Sequence, residues 1–135
     1  MLCTYCSGKT EVTNSRHQKR ANQVWRRRHC VDCGATFSTH EQAAYDSVWR
    51  VQATDTSLTP FHKQKLFIEL YKACEHRPSA LADATALTDT VVGLLRKHAT
   101  HGLLESHAIA LTSHQVLLHF DKAAAVYYES RHLTS

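Results

Sequence analysis

Two periodicities divide the chain. Up to about residue 42 the apolar positions are sparse and alternate with polar ones. "EVTNSR" (11–16) and "NQVWRRRHC" (22–30) carry β-branched or aromatic residues around the polar run "HQKRAN", and "ATFSTHE" follows at 35–41. Alternation over short runs bounded by turn residues predicts strands. So short a stretch cannot bury a core unaided, and it needs a staple.

From residue 60 the period becomes helical. Thr59 and Pro60 read as an N-cap and first-turn proline, after which Leu66, Leu70 and Cys74, flanked by Phe67 and Tyr71, recur on one face until Pro78. A second helix is expected from about Ser79 to His98 through Leu87, Val91, Leu94 and Leu95, with Gly102 beyond its end. A third covers roughly Ser106 to Phe120 through Ile109, Val116 and Leu117, and a fourth, "DKAAAVYYESRHL", starts at Asp121 as its N-cap. Between the two regimes, "AYDSVWRVQATDTSLT" (44–59) suggests one strand at Val48, Trp49 and Val51 and then a turn. The expected architecture is α+β, with a stranded module at 1–43, a linker and strand region at 44–59 and a mainly helical domain at 60–135.

Charge changes this picture more than composition does. The chain has 135 residues and a formal net charge of +4. Residues 1–45 hold seven basic side chains (Lys9, Arg16, Lys19, Arg20, Arg26, Arg27, Arg28) against Glu11, Asp32 and Glu41, and the remainder holds nine of each sign. The excess positive charge therefore lies in the stranded module, where an anionic partner is to be sought. No apolar run reaches membrane-spanning length and no signal-peptide pattern opens the chain, so a soluble, cytoplasmic protein is expected.

The cysteines supply the missing staple. Cys3-x-x-Cys6 and Cys30-x-x-Cys33 are separated by 23 residues, and Cys74 stands alone on an apolar helical face. Two short-spaced thiolate pairs on separate turns suit tetrahedral zinc, and Gly8 and Gly34 sit where such turns need conformational freedom. Four protein ligands close the site, which makes the zinc structural rather than catalytic. Neither a nucleophile–base pair nor a Gly-rich phosphate loop is present, so an enzyme is not expected.

Arg26, Arg27 and Arg28 run straight into Cys30. On a strand, Arg26 and Arg28 share one face and Arg27 the other. Arg16 on the neighbouring strand and Lys19 in the following loop extend the cationic surface. Arginine forks match phosphate geometry, so these five residues are the candidate contacts to a nucleic acid.

"MLCTYC", "VTNSR" and "VWRRRHCVDCGATFSTHE" together resemble the zinc ribbon of the NrdR-type repressors of ribonucleotide reductase genes. The resemblance continues through "PFHKQKL" (60–66), "KACEHRP" (72–78) and Ser106, Ile109, Leu117, Asp121, Ala124, Val126 and Ser130. It implies a DNA-binding zinc ribbon joined to an ATP-cone, a small helical domain whose ATP or dATP occupancy sets oligomeric state and thereby operator binding. Where that family keeps a V-x-K-R-x-G turn, this chain has "RVQATDTSLTPF", without the Lys-Arg pair or the glycine. The cations left for a nucleotide are Arg50, Lys65, Lys72 and Arg77. A different class of protein fits the same residues: a nucleotide-sensing or oligomerising adaptor whose ribbon binds protein or RNA, or a repressor that no longer senses nucleotide.

Overall fold

The computed structural model describes residues 1–133. The chain divides into two compact units, Met1–Ala43 and Ala44–Ser135.

The first unit is a three-stranded antiparallel sheet of β1 (Thr10–Gln18), β2 (Gln23–Cys30) and β3 (Thr36–Gln42), with β2 central. The register sets Arg16, Trp25 and His40 in one cross-strand row and Asn14, Arg27 and Ser38 in the next row of the same face. The other face carries Ser15, Arg26 and Thr39, then Val12, Arg28 and Phe37. The pairing shifts between Val12 and Asn14, a bulge at Thr13 that keeps both rows in phase with β2. β1 is exposed almost throughout, and Cys3 and Cys30 are the buried hydrophobic residues of this unit.

The second unit begins with α1 (Tyr45–Val48), β4 (Arg50–Gln52) and β5 (Leu58–Pro60). The helices α2 (Lys63–Cys74) and α3 (Ala80–Leu95) follow, then β6 (Leu103–Glu105), α4 (Ser106–Phe120) and α5 (Lys122–His132). β4 lies between β5, antiparallel to it, and β6, parallel to it. Leu70, Leu95, Leu104, Leu117 and Val91 are completely or almost completely buried at the centre of the helical core. Each such side chain contributes about 1.5–3 kcal/mol of burial.

The stretch 44–59 folds with this unit. Tyr45 and Trp49 are buried against Phe61, with ring centroids 4.5 Å apart for Tyr45–Trp49 and 5.3 Å for Trp49–Phe61. Pro60 ends a strand rather than opening a helix: it pairs with Arg50, and the Phe61 N–H then donates to the Trp49 carbonyl at 3.1 Å. Proline is tolerated at such a strand end because no ladder donor is needed there. α2 accordingly starts at Lys63. α3 stops at Leu95, short of His98, because the chain turns to place β6 beside β4. Gly102 permits that approach at φ +79°, where a Cβ would stand 2.5 Å from the Val48 carbonyl oxygen. Asp121 caps α5 as expected, its carboxylate accepting from the Ala124 N–H at 3.0 Å. Ser79 caps nothing at α3, and its hydroxyl donates to Asp83 instead.

Candidate metal centre and nucleic-acid interface

The two Cys-x-x-Cys turns are built alike. The Cys3 N–H donates to the Gly8 carbonyl at 2.8 Å and the Cys30 N–H to that of Ala35 at 2.9 Å. Ser7 N–H returns to Cys3 O, and Gly34 N–H to Cys30 O. The residue after each second cysteine is left-handed, Ser7 at φ 64° and Gly34 at φ 75°. Gly8 is not left-handed; a Cβ there would meet the carboxylate of the exposed Asp32 at 2.2 Å, and that side chain would have to swing aside.

These turns bring the Sγ atoms of Cys3, Cys6, Cys30 and Cys33 within 4.8 Å of one another. Cys3–Cys33 is 3.7 Å and Cys6–Cys30 is 3.5 Å, close to the edge of about 3.8 Å that a tetrahedron with Zn–S bonds of about 2.3 Å requires. Backbone N–H groups point at the sulfurs, from Tyr5 to Cys3, Gly8 to Cys6 and Cys33 to Cys30, which favours thiolates. The Cys33 N–H is the largest cause of a Cys30 thiol pulled down to about 7. Cys6, despite the Gly8 N–H, is pushed up to about 12 by the crowding of the other cysteine side chains, and Cys33 is raised as well. A cation among the four sulfurs is what would favour thiolates at all of them. The four cysteines thus form a zinc ribbon site. A zinc held by these four sulfurs would cross-link the start of the chain to the end of β2, and with four protein ligands it would serve a structural role.

The basic residues sort by face. Arg26 donates to Ser15 Oγ at 3.2 Å and to Glu41 Oε2 at 2.8 Å. Arg28 donates to Thr39 Oγ1 at 3.4 Å and to Thr10 Oγ1 at 3.3 Å. On the opposite face Arg27 is exposed and, among the described residues, makes no side-chain hydrogen bond or ion pair. Arg16 lies over the Trp25 ring at 5.9 Å. Lys19 is exposed in the β1–β2 turn.

A family model described as "Transcriptional repressor NrdR-like, N-terminal domain" matches residues 1–41. The transcriptional repressor NrdR of Desulforamulus reducens is 33% identical over 133 residues, covering 96% of this chain and 82% of that protein. Those of Tropheryma whipplei strain Twist and Staphylococcus aureus strain JH9 are 31% and 30% identical over 131 residues, again covering 96% of this chain. The chain belongs to the NrdR family. Its relatives are transcriptional repressors by name, so the family is one of regulators rather than enzymes. Among the described residues, no helix is long and apolar enough to cross a membrane.

Beyond the ribbon, this NrdR-family chain has a cavity of about 520 Å³ in its helical unit, lined by Val51, Phe61, His62, Lys65, Glu69 and Tyr128 among others. That volume suits a small molecule. The four cations named for a nucleotide do not converge on it. Lys65 lines the cavity, whereas Lys72 is exposed further along α2 and Arg50 donates to the carbonyls of Asp46 and Trp49. Arg77 is engaged elsewhere: it donates to Asp83 at 2.8 Å and Asp121 at 2.9 Å and stacks on Phe120 at 4.5 Å. The Glu69–His132 pair on the cavity wall was not legible in the sequence, because α3, β6 and α4 lie between its partners along the chain.

Proposed function

We propose that this chain is a zinc-dependent, double-stranded-DNA-binding repressor of ribonucleotide reductase genes. Its ribbon presents Arg16, Lys19, Arg26, Arg27 and Arg28 as the cationic surface. The helical unit is an ATP-cone whose ATP or dATP occupancy sets the homo-oligomeric state and so the affinity for the operator. The observation that carries the reading is the arginine strand itself. β2 enters the zinc site at Cys30, so metal binding fixes the strand that bears the charge. Membership of a family of transcriptional repressors supports the same reading. Each phosphate neutralised adds a salt-dependent increment to affinity.

A second reading, a repressor that has lost nucleotide sensing, draws on the cavity. Lys65 is the one lysine or arginine among its lining residues, and Glu69 adds a carboxylate. Charge-assisted hydrogen bonds contribute about 1.5–3 kcal/mol each, so missing two or three weakens a triphosphate by orders of magnitude.

One titration tests both readings: a labelled duplex from upstream of the reductase genes against random duplex, at physiological salt, without nucleotide, with ATP and with dATP. Preference for the promoter duplex that changes with nucleotide is the expected result. Equal promoter affinity in all three conditions replaces the first reading by the second. No preference over random duplex sinks both.

A further inference from the structure

The two faces of the ribbon sheet are not equivalent as binding surfaces. Arg26 and Arg28 are half-buried, and their guanidinium groups already donate to partners on their own face. The strongest of these is the ion pair with Glu41, which a phosphate would have to displace while itself being repelled by that carboxylate. Arg28 stands directly across from Phe37. This pairing lets its aliphatic stem cover apolar surface in a sheet with no core on either side.

On the opposite face, Arg27 is exposed and its side chain is unengaged among the described residues. Asn14 and Ser38 flank it across the strands, and the row of Arg16, Trp25 and His40 lies beside it. No carboxylate lies in either of these rows; the nearest on this face is Glu11, in the following row with His29 and Thr36, and unlike Glu41 it forms no ion pair with an arginine among the described residues. Arg16 covers the Trp25 ring, so the indole holds a cation in place and is not an open stacking platform for an unpaired base. A flat cationic sheet face with few free aromatic surfaces fits a duplex backbone or groove edge better than a single strand.

We propose that the ribbon meets duplex DNA through the face bearing Arg16, Trp25, Arg27 and His40, and that Arg26 and Arg28 are positioning residues that hold this face without touching DNA. The proposal rests on the DNA-binding reading above and divides its arginines by role.

The test uses zinc-loaded full-length chain and a labelled reductase-promoter duplex over a salt series. Arg27→Ala is expected to weaken binding by ~10- to 100-fold and to reduce the salt slope by about one, as for loss of one phosphate contact. Arg27→Lys keeps the charge and recovers part of that loss. Arg26→Ala and Arg28→Ala are expected to lower the melting temperature of the ribbon, yet to keep affinity within ~3-fold once zinc content is matched. Arg26→Gln, which retains a donor towards Ser15 and Glu41, covers the case in which Arg26→Ala does not fold. The assignment is overturned if Arg27→Ala is neutral, or if Arg26→Gln or Arg28→Ala lowers affinity and salt slope as much as Arg27→Ala does. Failure of the unsubstituted chain to bind any duplex removes the DNA reading itself, an outcome distinct from a wrong choice of face.

Discussion

In the ribbon, Cys3 and Cys30 are the buried hydrophobic residues, whereas the helical unit packs Leu66, Leu70, Val91, Leu95, Leu104 and Leu117 into one core with Trp49, Phe61 and Tyr128. The difference shows how small a folded surface can be when a metal replaces a core. A three-stranded sheet wetted on both faces leaves both available for side chains that do other work. In this chain one face ties its arginines down and the other presents them. The helical unit has the opposite economy: its strands are three residues each, and the packing of α2 to α5 holds it together.

The contrast breaks most sharply on metal removal. A structural zinc contributes about 10–16 kcal/mol of folding free energy to small modules of this kind, far beyond what β1 to β3 bury. Chelation, or Cys30→Ser, is therefore expected to abolish amide protection across residues 10–42 while leaving that of α2 to α5 unchanged. Hydrogen exchange with and without chelator reads both units in one experiment. A ribbon that stays protected without metal would mean that the sheet is stable on its own.

The converse substitution is Leu70→Ala. Leu70 is fully buried in α2, and the cavity left behind is expected to cost about 2–5 kcal/mol. The unfolding free energy of the helical unit should fall by that amount, seen as a lower urea midpoint at unchanged slope, with zinc content and ribbon protection unaltered. A parallel loss of zinc would show that the two units fold as one.

How much of this was legible in the sequence follows the same division. The zinc ligands were readable because Cys-x-x-Cys spacing is local chemistry. So was the alternation of Arg26, Arg27 and Arg28, which needs only the strand period. Which partners hold Arg26 and Arg28 was not readable, since Ser15, Glu41, Thr10 and Thr39 are selected by register across three strands. Ser7 was missed as a left-handed residue because nothing in a serine announces φ 64°, and Gly8 beside it drew the assignment. In the helical unit the 3.6-residue period located α2 to α5. α1, β5 and β6 are three or four residues long, too short to carry any period, and Pro60 read more naturally as a helix opener. Arg77 looked like a ligand for phosphate because its two carboxylate partners are six and 44 residues away in the chain.

That arginine cluster provides the smallest and most selective test. The Asp121 carboxyl is held far below the usual range, first by the Ala124 N–H it accepts, then by Arg77 and His76. Asp83 is lowered too, chiefly by Arg77 and then by Ser79. Both pKa values are depressed in the folded state, so as pH falls the unfolded chain takes up these protons first. The stabilisation is present above the ordinary carboxyl pKa of about 3.9 and is lost as pH drops below it towards the folded values. Asp121→Asn keeps an oxygen for the Ala124 N–H and removes the charge facing Arg77. Its helical unit should therefore be less stable near neutral pH, show a shallower acid limb, and converge on the unsubstituted chain at low pH. Trp49 fluorescence in a Trp25→Phe background follows this unit alone, because zinc release in acid affects the ribbon, where Trp25 lies. Urea midpoints taken from about pH 7 down to about pH 3 give the two slopes. Identical slopes would mean that Arg77 and Asp121 are merely neighbours, and would return Arg77 to the pool of cations free to meet a ligand.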